Sequence, residues 1–443
     1  MQTKLLFVIP LLFSLVATCV YAETETETKA LEPFAFGDFS WVPGGYAPAE
    51  NPYATKYFVP EFRLDNVFHE DFNHPKDHTI SGSSEEFRSG EFQTTQIGVG
   101  GDFNYNNVGF RLMTQFGMYS TTTPRNDASP TRGQWQMDNA YRYISEAYAT
   151  YHLNIMNGVN IQTGIFMSYV GLWSYYNFDN WTYQPSYVSS NTPWFFNGVR
   201  IQTFPSDKLK FEYWLINGWQ SYGMFNEQPG LGMQILYRPN DSISILGNQY
   251  GGADTFNTPG RSRFHTDDSI MAKYYEDQSK TLDKAAFSLT VDAGCEQGGG
   301  VNCGGQYFMG FMAYNRLWFD HDLFGLTVGG GYITNRGRYL VLVPPINGAT
   351  AASGDSSGSF TENPGDSFNA WDAQITGDYM PTRNLTFRLE YTYRWANVPY
   401  YSGPGGVTPP GGNQGAPGSV VPGWAPDLVK DENIVTAAMM IRF

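Results

Sequence analysis

Apolar and polar residues alternate with a period of two along most of the chain beyond residue 57. This period places one set of side chains on each face of a β-strand. In LTFRLEYTYRW, from Leu385 to Trp395, the leucines and aromatic residues share one face, while the threonines, arginines and glutamate share the other. The pattern predicts an all-β protein. Alternation alone leaves open whether the apolar face packs against a core or faces lipid.

Sixteen segments carry this pattern, and the joins between them alternate between tight turns and long loops. The segments lie near residues 59–69, 91–104, 107–119, 141–153, 158–168, 194–204, 208–219, 229–238, 241–251, 268–277, 283–293, 306–319, 322–334, 369–380, 384–396 and 432–443. Short periplasmic turns and long external loops are typical of outer-membrane barrels. The sequence therefore predicts a transmembrane antiparallel up-and-down β-barrel of about 16 strands over residues 57–443.

Composition removes two other classes of protein. The 443-residue chain has a mean hydropathy of −0.36, and past residue 22 it contains no uninterrupted apolar stretch of the roughly 18 residues that a membrane-spanning helix needs. A polytopic helical membrane protein is thereby excluded. The net charge of −15, with no tract of lysines and arginines, argues against a nucleic-acid-binding protein.

The N-terminus has the pattern of an export signal. Lys4 precedes an apolar stretch over residues 5–16, and Val20-Tyr21-Ala22 supplies small residues where a signal peptidase cleaves, which predicts a signal peptide over residues 1–22. An uncleaved anchor, or a lipoprotein through Cys19, is the less favoured alternative. Residues 23–56 begin with ETETETK and are predicted to form an acidic, largely irregular lead-in.

Two cysteines remain after the predicted signal peptide. Cys295 and Cys303 are separated by EQGGGVN, a short glycine-rich stretch that allows the ends to meet. We predict a disulfide, which in the loop-closure model contributes about 2.5 kcal/mol of stability. The alternative is a pair of free thiols on a mobile loop.

The chain ends in IVTAAMMIRF, and this terminal strand with Phe443 resembles the assembly signal of bacterial outer-membrane barrels. Together with the signal peptide and the sixteen strands, it resembles bacterial porins. The segment from Tyr169 to Gly223 more narrowly resembles the β-barrel porin-2 (OmpL-like) family. The resemblance implies a water-filled channel for passive diffusion of small hydrophilic solutes across the outer membrane, without catalytic residues or cofactors. It implies contact with membrane lipid and the barrel assembly machinery, and leaves open whether the barrel is a monomer or a homotrimer.

Alternation also assigns charged side chains to the lumen of the barrel. The basic residues are Arg63, Arg111, Arg142, Arg200, Lys210, Lys273, Arg316, Arg388, Arg394 and Arg442, and the acidic residues are Asp65, Asp102, Glu146, Glu212, Asp292, Asp372, Asp378 and Glu390. Ten basic and eight acidic side chains give a lumen charge of +2. We therefore predict weak anion preference or none. The alternative is that these charges are paired and serve only to solvate the lumen.

The third long loop, residues 170–193, is the candidate constriction. In general porins the third external loop folds inward, and here it carries Trp173, Tyr175, Tyr176, Phe178, Asp179, Trp181 and Tyr183. Aromatic faces could stack on sugar rings, which would make the protein a substrate-selective channel for sugars or organic acids. The favoured alternative is that these side chains pack the loop onto the barrel wall or lie in the external aromatic girdle.

Other chemistry receives less support. His69, Glu70, Asp71, His74, Asp77 and His78 could hold a divalent cation, but their spacing matches no fixed motif, and we predict a solvated loop without metal. No serine lies in a G-x-S-x-G context, so we predict that the protein is not an enzyme. A surface adhesin or a purely structural barrel remains an alternative, because long external loops suit surface contacts.

Overall fold

The computed structural model describes residues 32–45, 51–80, 82–337, 339, 367–405 and 427–443. The predicted signal peptide and the acidic start of the predicted lead-in lie outside the described residues. Residues 32–45 form turns and irregular chain ahead of the first strand.

Sixteen antiparallel strands close into a barrel, as the sequence predicted. They are β1 (Phe58–Asp71), β2 (Glu91–Tyr105), β3 (Val108–Thr114), β4 (Ile144–Leu153), β5 (Val159–Met167), β6 (Phe195–Ser206), β7 (Leu209–Ile216), β8 (Gly230–Asn240), β9 (Ile243–Gly252), β10 (Ser262–Glu276), β11 (Leu282–Gln297), β12 (Tyr307–Phe319), β13 (Phe324–Arg336), β14 (Ser367–Thr382), β15 (Leu385–Ala396) and β18 (Asp431–Arg442). Each barrel strand pairs with its neighbours in the chain, and β1 pairs with β18 to close the sheet, for example at Val67 opposite Ala438.

The remaining elements are short and lie in the connections. Strands β16 (Tyr401–Ser402) and β17 (Leu428–Val429) pair with each other. The helices are α1 (Tyr119–Thr122), α2 (Met137–Tyr141) and α3 (Tyr187–Ser190), with 3-10 turns at Thr123–Asn126, Ser129–Thr131 and Asn177–Asp179. None of the helices in the described part of the chain has the length and apolar character needed to cross a membrane.

The connections divide the barrel into two ends. One end, here the turn end, carries the joins 106–107, 154–158, 207–208, 241–242, 277–281, 320–323 and 383–384. The other, the loop end, carries loop 1 (72–90), loop 2 (115–143), loop 3 (168–194) and the further long connections. This segregation matches the alternation of tight and long joins in the sequence.

The largest differences from the predicted strand boundaries occur at β3 and β10. Strand β3 ends at Thr114 rather than near 119, because the chain bends at Gly117, which has a φ of +95°, and enters α1. Strand β10 begins at Ser262 rather than near 268. Polar residues ahead of 268, such as Thr266, interrupt the apolar face from which the strand is predicted.

Side-chain exposure shows which face of the sheet is apolar. In β15, Phe387 and Leu389 are 40% and 61% exposed on the outer face, whereas Arg388 and Glu390 are 3% and 1% exposed on the inner face. A soluble sheet would bury the apolar set instead. An apolar outer face around a closed sheet is the arrangement that lipid requires, because no backbone group is then left unpaired in the bilayer.

The structure also contains the predicted pair of cysteines and the C-terminal phenylalanine, both at the ends of barrel strands. The structure joins Cys295, in β11, to Cys303, in the loop before β12, through a disulfide. Phe443 follows β18; its N–H donates to the carbonyl of Phe62 (2.9 Å), and its ring is exposed.

Candidate functional site

Loop 3 lies inside the barrel and is buried along almost its whole length. Two of its tryptophans pack edge-on against aromatic residues of β12: Trp173 against Tyr314 (ring centroids 4.9 Å apart) and Trp181 against Trp318 (5.7 Å). The other loop residues named from the sequence, Tyr175, Tyr176, Phe178, Asp179 and Tyr183, also contact neighbouring side chains within the barrel. The loop therefore occupies the lumen, and its rings are used in packing.

Two carboxylates of the barrel wall bind the backbone of loop 3. Glu390, in β15, accepts hydrogen bonds from the N–H groups of Tyr183 (2.7 Å) and Gln184 (2.8 Å). Asp372, in β14, accepts from the N–H of Tyr187 (2.8 Å) and the hydroxyl of Ser186 (2.9 Å). A loop that crosses a lumen has no strand partner for its N–H groups, so these carboxylates supply the acceptors that burial demands.

Two arginines of the wall bind the carbonyl groups of the same loop. Arg388 donates to the carbonyls of Asn177 (3.2 Å) and Asn180 (2.7 Å). Arg316 donates to the carbonyl of Trp181 (3.2 Å). Both guanidinium groups also pair with Asp378, at 2.7 Å, so the positive charges are compensated.

The tip of loop 3 is bound where the barrel closes. Asp179 pairs with Arg63 of β1 (2.9 Å) and with Arg442 of β18. The guanidinium of Arg63 lies 3.9 Å from the ring centroid of Tyr176, whose face is thereby covered. Asp65 accepts from the side-chain amide of Asn177 (3.0 Å).

Arg394 holds loop 1 in a corresponding way near the loop end. It donates to the carbonyl of Gly82 (2.6 Å) and pairs with Glu86 (3.2 Å) and Glu432 (3.0 Å). The hydroxyl of Thr436 also donates to Glu86 (2.6 Å). Burial raises the pKa of Glu86 to about 7, although Arg394 opposes the shift.

Open space remains on the opposite wall, along β2 to β5. Two cavities of about 320 Å³ and 390 Å³ lie there and share Asp102, Arg111 and Tyr148. The first extends towards the turn end, past Thr150 and His152. The second extends along loop 3.

Charged side chains line the junction of the two cavities. Arg111 pairs with Glu61, Asp102 and Glu146, each at 2.9 Å, and Tyr176 of loop 3 donates to Glu146 (2.9 Å). Glu61 was not among the predicted lumen residues. It has the same parity as Arg63 in β1, so extending the alternation by one step would have found it.

The other predicted lumen residues lie elsewhere on the wall, with one exception. Arg200 donates to Gln162 (2.6 Å), Lys210 pairs with Glu212 (2.7 Å), Lys273 pairs with Glu276, and Asp292 lies 2.7 Å from His265. Arg142 lies at the end of α2 in loop 2 and pairs with Asp138 (3.0 Å). Its predicted place on the barrel wall is wrong, because β4 begins only at Ile144.

The histidine-rich segment near loop 1 does not form one cluster. His69 is buried and contacts the hydroxyl of Thr436 (3.0 Å), whereas the side chain of His74 is 66% exposed. In the ranges that the structure describes, no group of three or more His, Cys, Asp or Glu side chains is arranged to hold a metal ion.

A closed 16-stranded barrel with an apolar outer face and a polar lumen defines a bacterial outer-membrane β-barrel protein. A family model described as "putative beta-barrel porin-2, OmpL-like" matches residues 63–443, and the chain belongs to this family. No curated protein sequence matches the chain.

Solved structures with a similar fold are outer-membrane proteins of low sequence identity. OprB of Pseudomonas putida at high pH is 10% identical over 88% of this chain and 94% of its own, with a TM-score of 0.50. OmpT of Vibrio cholerae is 9% identical over 89% and 100%, with a TM-score of 0.49. The outer membrane channel DcaP of Acinetobacter baumannii is 11% identical over 87% and 97%, with a TM-score of 0.48. The likeness to OprB supports the barrel fold and nothing finer.

Proposed function

We propose that the protein is a porin whose channel for passive diffusion of small hydrophilic solutes runs along β2 to β5. The observation that carries the proposal is the pair of adjoining cavities that meet at Asp102, Arg111 and Tyr148. The first cavity has a mainly polar lining, the junction is charged, and both cavities lie in a barrel of the porin-2 family. Family membership favours a channel over an enzyme.

The charge at the junction supports a channel with little ion selectivity. The +2 counted over the whole lumen includes Arg316, Arg388, Arg394 and Arg442, which are bound to loop segments or buried carboxylates. At the junction Arg111 pairs with Glu61, Asp102 and Glu146 instead. Because charges at a constriction decide ion passage, we propose a non-selective channel rather than an anion-preferring one.

Loop 3 favours packing over sugar binding. Stacking on a sugar ring needs a free aromatic face. Trp173 and Tyr176 line the second cavity, but each is only 5% exposed, and Tyr176 is covered by Arg63. The adhesin alternative, contact of Phe443 with the assembly machinery, and the choice between monomer and homotrimer stay predictions.

Liposome swelling with sugars, amino acids and organic anions of graded size tests the proposal. We expect small solutes of either charge to enter, with a sharp size limit. Thr150→Trp places a large ring in the first cavity and should slow entry, whereas Thr163→Trp, on the exposed outer face of β5, should not. Folded wild-type protein that admits no solute would contradict the channel function.

A further inference from the structure

Residues 32–45, here the N-terminal segment, run across the turn end of the barrel. The N–H of Phe34 donates to the carbonyl of Asp207 in the β6–β7 turn (2.7 Å). The indole N–H of Trp41 donates to the carbonyl of Asp241 in the β8–β9 turn (3.1 Å). The N–H of Gly44 then reaches the carbonyl of Asp179 in loop 3 (3.0 Å). The segment thus passes from the wall of β6 to β9 across the lumen to loop 3.

The middle of the segment is packed as tightly as a protein core. Trp41 and Val42 are only 2% and 5% exposed and belong to the same apolar cluster as Trp181. The indole N–H of Trp181 donates to the carbonyl of Trp41 (3.1 Å). The sequence predicts a largely irregular lead-in over residues 23–56, because its acidic first residues cannot bury apolar surface.

Gly44 allows the closest approach between the segment and loop 3. Its φ is +71°, and a Cβ added there would lie 2.4 Å from the carbonyl oxygen of Leu172. A larger residue would therefore clash with backbone and suffer conformational strain. Gly44 also lines the second cavity, so the segment borders the proposed solute path.

Cationic side chains of the turn end hold the start of the segment. The guanidinium of Arg238 lies 4.0 Å from the ring centroid of Phe39 and 5.0 Å from that of Phe34. Partial burial of Asp38 acts to raise its pKa. Hydrogen bonds from the N–H and hydroxyl of Ser40, together with the nearby Lys284 and Lys273, outweigh this effect and lower the pKa of Asp38. The segment is therefore bound along its length.

We propose that the N-terminal segment is a second constriction element of the channel, at its periplasmic side. It closes the part of the mouth away from β2 to β5 and holds loop 3 at Asp179, so that solutes are confined to the two cavities. This inference rests on the proposed channel function. The segment precedes the residues that the family model matches.

Single-channel conductance of the purified protein in planar bilayers tests the inference. Deletion of residues 32–45 and the substitution Trp41→Ala should each raise the conductance, by roughly twofold or more for the deletion, because the pore cross-section increases. Phe36→Ala is the matched control: it removes an aromatic ring from the same segment, but this ring is 39% exposed. We expect its conductance to equal that of the wild type.

The outcomes separate this inference from the channel function itself. Heat-modifiable migration on gels first establishes that each variant is a folded barrel, and the deletion answers the question if Trp41→Ala does not fold. A wild type that conducts, with unchanged conductance in folded deletion and Trp41→Ala variants, overturns the inference. A silent wild type with a conducting deletion would mean that the segment plugs the barrel completely, which contradicts an open channel along β2 to β5 and overturns the inference with it. If neither the wild type nor the deletion variant conducts, the channel function is overturned and the inference with it.

Discussion

The two sides of the lumen carry the same alternating pattern but use their charges differently. On the wall of β12 to β15, Arg316, Asp372, Arg388 and Glu390 bind the backbone of loop 3. On the wall of β2 to β4, Arg111 and its carboxylates pair with one another and border open space. Inward charge therefore does not by itself identify a residue that a solute meets.

The path of loop 3 explains the difference. The loop leaves β5 and crosses the lumen to reach β12 to β15 and the β1–β18 closure, so it covers the far wall and leaves space beside its own strand. The covered wall then needs buried acceptors and donors, because each unsatisfied buried group costs about 1–3 kcal/mol. The open wall can satisfy its polar groups with water.

The strongest test of this difference removes a hydrogen-bond acceptor from the wall of β12 to β15, which loop 3 covers. Glu390→Gln should destabilise the folded barrel by about 3 kcal/mol and raise conductance, because Tyr183, Gln184 and Thr376 all donate to this carboxylate. Urea unfolding in lipid and single-channel recording measure the two effects. Glu276→Gln, whose side chain is 41% exposed, is the control and should change neither. An unaltered unfolding midpoint in Glu390→Gln would show that the carboxylate does not hold the loop.

A second test removes the central cation of the open wall. Arg111→Gln leaves Glu61, Asp102 and Glu146 without their shared partner. The ratio of cation to anion permeability should therefore rise several fold. Reversal potentials under a salt gradient measure this ratio. Arg88→Gln, which removes an exposed arginine of loop 1, should behave as the wild type. An unshifted reversal potential in Arg111→Gln would mean that ions do not pass this junction.

Glu86 of loop 1 should have a smaller, pH-dependent effect on the free energy of unfolding. Burial raises the pKa of Glu86 from 4.5 to about 7, so the folded barrel binds this proton more tightly than the unfolded chain. Its contribution to stability is therefore greatest below about pH 4.5 and falls as the pH rises to about 7. Glu86→Gln should reduce the loss of unfolding free energy over this range, as measured by urea titration at several pH values. An identical pH dependence in wild type and variant would contradict this account.

The disulfide should matter least to the channel. Cys303→Ser opens a small ring between β11 and β12. Neither cysteine lines either of the two cavities, so conductance should not change. Stability should fall by no more than about 2.5 kcal/mol, the loop-closure value. In the wild type, the difference in unfolding free energy with and without reductant measures the stability that the disulfide contributes. A changed conductance would tie this loop to the solute path.

The fold could be predicted because its signals are local. Alternation in segments such as Leu385–Trp395 and tight turns such as Asp320-His321-Asp322 report strands and their joins directly. The errors occurred where local signals weaken, at Gly117 after β3 and at the polar start of β10. Most of the charged residues assigned to the lumen by parity lie in strands and are buried, whereas Arg142 precedes its strand.

The lumen could not be predicted to the same depth, because what fills it depends on contacts between distant residues. Glu390 meets Tyr183, 207 residues away in the sequence, and Trp41 meets Trp181, 140 residues away. Nothing in the alternation distinguishes Arg388, which binds loop 3, from Arg111, which borders a cavity. The aromatic content of loop 3 indicated packing or constriction, and only its path through the barrel shows which wall it covers.

Thiol labelling of the two walls during conductance recording tests the central claim most directly. Thr150→Cys places a thiol in the first cavity, and Thr290→Cys places one on the lumen face of β11, where the native side chain is 1% exposed. A charged thiol reagent should block current through the Thr150→Cys channel and leave the Thr290→Cys channel unaffected. Block of the Thr290→Cys channel, with no effect on Thr150→Cys, would contradict a solute path along β2 to β5.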